Sequence, residues 1–482
     1  MSSLPVIPIL RQGRVYHSLD VAEINHVATA APVVRVSQAN SGLVARDMQQ
    51  LKVGRDALRR IPAADRLRMV LEAGEIFQHD TLPVGDNGVM QSPEDYVLSL
   101  SATSGLPHSL IRMNMKRLGN VFAEIPTIIR GLTRGVDLET LDRGYGNQQG
   151  VPVSYSLQTD AMSVILPSNS PAVNALWIPC LAFGVPVVLK PGREEPWTPW
   201  RIIQAMLKAG LPREAFNFYP TGHDGSGVIL RKAGRVMMFG DDATVSQYAH
   251  DPRVEVHGSG RSKILIGEDK IEQWRDYLPI MVQSISANSG RSCINASAVI
   301  VPKYAHEIAE AIAAELISMR PLAPEDPEAR LSGFANPAMV EWIDGAVTDG
   351  LATKGAIDYS MKLRNGESRK ASRDGMNYLL PTIVQCDSFS HPLANREFLF
   401  PYASVVQMPQ AQMLDEIGPS LVVTAITDDM NWISRLLESP DIQRLNLGPH
   451  PTNQVSWDQP HEGNLFEFLF RRRAIAITPH AA

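Results

Sequence analysis

Residues 161–192 read AMSVILPSNSPAVNALWIPCLAFGVPVVLKPG. The stretch opens with SVILP, a short apolar run of the kind that forms a strand buried on both faces. A polar loop, SNSP, follows it. An apolar helix comes next and stops at Gly184, and VPVVLK then makes a second buried strand. A strand–helix–strand of this size is a right-handed βαβ crossover.

Outward from this block the alternation continues. WRIIQAMLKAG and DGSGVILRKAG have helical spacing, and AFNFYP and RVMMFG read as the strands between them. After His257 a second unit begins. KILIG, SAVIVP, YLLPTIVQC and ASVVQMP read as strands, and KYAHEIAEAIAAELISM and AMVEWIDGAVTDGL as helices. Upstream, ARDMQQLKVGRDALRRI and AADRLRMVLEAGEIFQ are helical, and Pro126 suits the first turn of a short helix before a polar, irregular stretch. VPVSYSL, residues 151–157, alternates like a strand. The pattern predicts an α/β fold of two Rossmann-like lobes, each an open parallel sheet covered by helices, with ligands at the carboxyl ends of the strands. Residues 1–136 with 158–256 form the first lobe and 257–444 the second. A small β extension is expected from 137–157 with 445–482, its segment LFEFLFRRRAIAI suited to an edge strand added to a neighbouring subunit.

The chain has 482 residues and a net charge of −6, so no basic field invites nucleic acid. No apolar run is long enough to span a membrane, and the N-terminus has no signal-peptide pattern. Three cysteines, Cys180, Cys293 and Cys386, cannot make a complete disulfide framework, so a reducing, cytoplasmic setting is expected. Cys180 reads as core and Cys386 as structural. Cys293 follows a turn-forming Asn-Ser-Gly and precedes a strand. There a thiol can meet backbone N–H donors that lower its pKa. Local sequence alone still favours a buried, inert cysteine.

ANSGRSC, residues 287–293, resembles the Asn-x-Gly-Gln-x-Cys nucleophile segment of the aldehyde dehydrogenase superfamily. Four further segments resemble the family's in the same order, over nearly the whole chain. LPSNSP matches its Pro-Trp-Asn-Phe-Pro loop at Asn169, and VVLKPGREEPWTP its Lys-Pro-Ser/Ala-Glu segment at Lys190. MFGDDATV matches its Phe-Thr-Gly-Ser turn at Gly240, and REFLFP its Glu-Ile-Phe-Gly-Pro segment at Glu397. The resemblance implies that Cys293 attacks an aldehyde to form a thiohemiacetal, which loses hydride to NAD or NADP and becomes a thioester. It further implies that Asn169 and the Cys293 N–H hold the oxyanion. Pro167, Ser168, Lys190, Arg193, Gly240, Asp241 and Glu397 would form the cofactor site. Substrate contacts are expected near Trp177, Met113 to Arg117 and Gly448 to Trp457. No metal is expected, and the extension implies a homodimer or homotetramer.

Three departures from the family pattern matter. His257 stands where hydrolytic members carry the glutamate that activates water. Either His257 is the replacement base, its pKa suited to neutral pH, or no water is activated and coenzyme A thiolate resolves the thioester. The second alternative, similar to acyl-CoA reductases, is favoured; a catalytically silent binding relative is the minor alternative. Arg193 stands where the family's ribose glutamate belongs and could pair with a 2′-phosphate, whereas a one-residue shift brings Glu194 into place and favours NAD. Val245 replaces a glycine near the pyrophosphate, and Asp241 and Asp242 are poor neighbours for phosphate.

Overall fold

The computed structural model describes residues 4–476. The ends of the expected first lobe and of the extension, residues 1–3 and 477–482, lie outside the described residues.

The first sheet has seven strands. Its parallel centre runs in the order Val254–His257, Arg235–Phe239, Met162–Ile165, Val187–Lys190 and Phe216–Phe218. Ile9–Arg11 and Arg14–Tyr16 extend it antiparallel. Met162–Ile165 and Val187–Lys190 are buried almost throughout because helices cover both faces, as their unbroken apolar runs require.

The second sheet also has seven strands: Ala356–Asp358, Thr382–Cys386, Tyr402–Gln407, Ala296–Val301, Ser262–Ile266, Ser420–Ile426 and Ile442–Leu447. All pairings are parallel except that of Ala356–Asp358, which runs against Thr382–Cys386. Helices Ala305–Leu316 and Pro337–Ala352 belong to this lobe.

The lobes face each other asymmetrically. The first presents the carboxyl ends of its strands: Pro167, Gly240 and Gly258, which line the intervening cleft, each follow a strand. The second presents amino ends. Arg261 precedes Ser262–Ile266, Cys293 lies just before Ala296–Val301, and Leu399 lies before Tyr402–Gln407.

Several local expectations differ from the fold. The apolar helix after SNSP is two short pieces, a 3₁₀ turn Pro171–Leu176 and a helix Pro179–Ala182. Pro179 has no N–H to continue the preceding turn. The single helix expected over residues 45–61 is interrupted, giving Ser41–Asp47 and Lys52–Arg59. The short helix expected to open at Pro126 is present as Ile125–Leu132, but the irregular stretch after it contains a further helix, Glu139–Arg143. LFEFL is helical rather than extended. Asn464 caps Leu465–Leu469, its Oδ1 accepting from the N–H of Phe466 at 3.0 Å, and only Phe470–Arg473 is strand. That strand pairs antiparallel with Val151–Leu157 of the same chain, Phe470 opposite Leu157. Among the described residues no helix is long and apolar enough to cross a membrane.

Candidate active site

The turn before Cys293 is a strained one. Asn288, Ser289 and Gly290 all have left-handed backbone, at φ 51°, 59° and 67°. For Asn288 and Ser289 this carries a cost that the surroundings must offset. Asn288 is buried and accepts from Asn114 Nδ2 at 2.8 Å, while its own Nδ2 donates to Ser292 Oγ at 3.2 Å and Ser170 Oγ at 3.3 Å. Ser289 Oγ accepts the Ser332 N–H at 2.8 Å. At Gly290 a Cβ would stand 2.4 Å from the Phe400 backbone, so glycine is required by space as well as by φ. Ser262 Oγ then donates to the Cys293 carbonyl at 2.8 Å. The nucleophile loop is thus pinned by neutral hydrogen bonds from both lobes.

Cys293 is half-buried on the wall of a cleft of about 920 Å³. Its thiol sits well above the ordinary cysteine range. Desolvation is the main cause, and the carboxyls of Glu462 and Glu397 add to it. The lowered pKa expected from sequence is therefore corrected: the Cys293 and Ile294 backbone N–H groups do pull the value down, but burial among acids outweighs them. Cys180 and Cys386 are both buried, in line with structural roles.

Asn169, in the loop after Met162–Ile165, lines the same cleft and donates its Nδ2 to the Arg291 carbonyl at 2.8 Å. This bond anchors its amide to the backbone two residues before the nucleophile. His257 ends its strand on the opposite wall and is only 3% exposed. Its Nδ1 contacts Glu462, and its Nε2 lies 3.2 Å from Glu255 Oε1. Its ring stacks on Phe239 with centroids 4.5 Å apart. Burial alone would lower the pKa of His257, but Glu462 and Glu255 outweigh it and push the value up to about 9. The neutral base that sequence allowed at this position is instead an imidazolium held between two acids. His461 lies beside it with centroids 6.4 Å apart, and burial next to that positive charge drives its own pKa down to about 3.

The expected cofactor residues divide. Pro167, Ser168, Gly240, Asp241 and Glu397 line the cleft. Glu397 accepts the Arg261 N–H at 2.7 Å, and burial pushes its carboxyl up to about 8. Ser168 Oγ accepts the Glu194 N–H at 3.2 Å. Gly192 packs so closely that a Cβ would stand 2.5 Å from the Pro167 carbonyl oxygen. Asp241 caps the short helix Asp242–Val245, and Asp242 is paired with Arg261. Lys190 and Arg193 are not among the lining residues. Lys190 is half-buried, and desolvation lowers its amine below the usual range; Arg193 points to solvent. Glu194 lines the cleft instead. Trp177, expected near substrate, is fully buried, its indole N–H donating to Asn174 Oδ1 at 2.9 Å.

Sequence reasoning missed Glu462, Arg261 and Arg291. Arg291 sits inside the nucleophile segment itself, whereas Arg261 and Glu462 join the site because distant segments fold onto one cleft.

The Aldehyde dehydrogenase family model matches residues 17–417. The chain is 30% identical over 209 residues to aminoacetaldehyde dehydrogenase from Pseudomonas aeruginosa, covering 40% of this chain and 42% of that protein, less than half its length. It is 23% identical over 394 residues to 5-carboxymethyl-2-hydroxymuconate semialdehyde dehydrogenase from Escherichia coli, covering 78% of each. Among solved structures, the NAD-dependent aldehyde dehydrogenase from Sinorhizobium meliloti superposes with a TM-score of 0.77 at 15% identity, covering 99% of this chain and 95% of that one. With a strained loop carrying Cys293 between two α/β lobes and a family match over most of its length, the chain belongs to the aldehyde dehydrogenase family.

Proposed function

We propose that the protein oxidises an aldehyde with NAD as hydride acceptor through covalent attachment to Cys293. The observation that carries this reading is the meeting of Cys293, Asn169 and Glu397 on one cleft between the lobes. The Cys293 thiol loses its proton to solvent and its sulfur attacks the aldehyde carbon, and the resulting oxyanion is held by the Asn169 amide and the Cys293 N–H. One such donor contributes about 3–4 kcal/mol in proteases. Bound nicotinamide supplies the acceptor for the hydride that leaves the thiohemiacetal carbon. Glu397 would hold a ribose hydroxyl, and the backbone at Gly240 would lie against the diphosphate. Glu194, lining the cleft where Arg193 does not, supports NAD over NADP, because a carboxylate repels a 2′-phosphate.

The acyl group left on Cys293 passes to coenzyme A. The support is His257, a paired imidazolium where a water-activating base would be needed. Thiolate attack on the thioester carbon restores the Cys293 thiolate without any base at that position. A second reading, hydrolysis to the free acid, draws on Glu462, a carboxylate close enough to Cys293 to raise its pKa. The edge strand Phe470–Arg473 supports assembly into a homodimer or homotetramer, which light scattering would test.

Incubation with NAD or NADP and a panel of aldehydes, with and without coenzyme A, tests the reading by absorbance of the reduced cofactor. Multiple turnover only with coenzyme A is expected. Turnover without it would establish the hydrolytic reading. Absence of both, with Cys293 inert to iodoacetamide, would make the protein a silent relative.

A further inference from the structure

We propose that the aldehyde taken by this site carries a carboxylate, and that Arg117 is the residue that recognises it. The inference rests on the dehydrogenase reading above and adds the substrate's chemical class.

Arg117 lies on the helix His108–Ala123. That helix is docked onto the nucleophile loop by Asn114, whose Nδ2 donates to Asn288 Oδ1 at 2.8 Å. A residue three positions further on shares the same helix face. Arg117 accordingly lines the cleft that holds Cys293. It is half-buried, and among the described residues it has no hydrogen bond or ion pair. Desolvation lowers its guanidinium with no carboxylate to offset the cost.

Three more deeply buried guanidiniums are anchored by the protein itself. Arg66 donates to the carbonyls of Ala182, Leu58 and Ile61 and to Asp142. Arg201 donates to the carbonyls of Phe77, Gln91 and Asp80. Arg369 is paired with Asp344. A guanidinium removed from water normally has its donors satisfied, because leaving them unmade is costly. Arg117 is half-buried with no protein partner among the described residues, and it lines the ligand space.

Its surroundings reinforce that charge. Arg291, on the same cleft, donates to the carbonyls of Ser104 at 3.3 Å and Gly333 at 2.5 Å and has no acidic partner. The acids near Cys293 are engaged elsewhere: Glu397 by the Arg261 N–H, and Glu462 by His257. Glu124, the residue just past the Arg117 helix, also lines the cleft but is exposed and forms no ion pair with Arg117. The nucleophile side of the cleft therefore carries two positive charges, Arg117 and Arg291, that no acid among the described residues neutralises. A planar fork of N–H donors matches a carboxylate in two parallel bonds, which suits an acid group a few carbons from the reacting carbonyl.

The test uses the whole protein in excess over aldehyde, with NAD and no coenzyme A. A single turnover then forms reduced cofactor whatever resolves the thioester. Succinic and glutaric semialdehydes are compared with butanal and pentanal. The wild type should prefer the carboxylated member of each pair. R117Q should collapse that ratio by about thirtyfold or more, the effect of removing one partner from a desolvated charge pair; R117K should keep part of it. Equal use of both members by the wild type, or a parallel fall on both in R117Q, would overturn the proposal. So would an unchanged aldehyde ratio in R117Q. Glutarate, but not the uncharged pentanamide, should also slow iodoacetamide alkylation of Cys293, and R117Q should lose this protection. No protection in the wild type would overturn the proposal. If no aldehyde reduces the cofactor while glutarate protects, the dehydrogenase reading fails and the anion site stands.

Discussion

The two walls of the cleft are built on opposite principles. The Cys293 wall is held by hydrogen bonds to neutral groups, Asn114 to Asn288, Ser262 to the Cys293 carbonyl and Arg291 to two carbonyls, and Arg117 and Arg291 have no acidic partners among the described residues. The His257 wall is charge-paired and closed on itself, its imidazolium held by Glu255 and Glu462 under the Phe239 ring. An arrangement of neutral bonds can be strained into a functional shape and still leave charge for a ligand. A buried ion cluster satisfies itself, and breaking it leaves a charge unpaired in low dielectric. Substitutions on the first wall should therefore be read in rate, and those on the second in stability.

The largest expected effect is at the nucleophile. Cys293→Ser should lower aldehyde oxidation by about 10⁴-fold or more while the far-ultraviolet circular dichroism and melting temperature stay as in the wild type. Normal turnover by this variant would remove the basis for assigning chemistry to that wall. Next comes the acid opposite. Glu462→Gln takes one carboxylate from the buried cluster and should cost about 3 kcal/mol or more in urea unfolding. The pH dependence has a defined sign. The folded-state pKa of His257 is raised to about 9, so its contribution is complete below its ordinary value near 6.5 and is lost as pH rises through about 9. Wild-type stability should fall across that window, and Glu462→Gln should flatten the fall. An unchanged slope would mean the histidine wall is not held by charge.

Asn169→Ala should lower kcat by about 10²–10³-fold, the usual effect of losing an oxyanion donor, with little change in unfolding free energy. A loss of stability matching the loss of rate would make its bond to the Arg291 carbonyl structural only. The smallest effect concerns the cofactor. Arg193→Gln should leave the NAD to NADP preference within about twofold, because a solvent-facing side chain away from the cleft contributes little. Glu194→Gln should shift that preference towards NADP. Loss of NADP use in Arg193→Gln would return the ribose contact to Arg193.

How much of this was legible from the chain depends on how local each signal is. SVILP and VPVVLK announce buried parallel strands because nothing but a doubly covered sheet accommodates such runs. Asn288-Ser289-Gly290 before Cys293 is legible as a turn for the same local reason. The helix at Leu465–Leu469 was not, because alternating apolar residues near a known strand partner mimic an edge strand until the Asn464 cap is seen. His257 was legible as a departure from the family, but its protonation was not. That depends on Glu462, far along the sequence and held in left-handed backbone at φ 53°.

The amino-acid sequence by itself determined the two α/β lobes, the cysteine at the start of a strand and the membership these imply, since apolar periodicity and turn chemistry act over a few neighbouring residues. Only the tertiary structure decided the charges: a thiol raised rather than lowered, a histidine made cationic by two acids, and an arginine left without a partner. Coulomb and desolvation energies depend on which distant groups share a low-dielectric space, and that is settled only when the lobes close on one cleft.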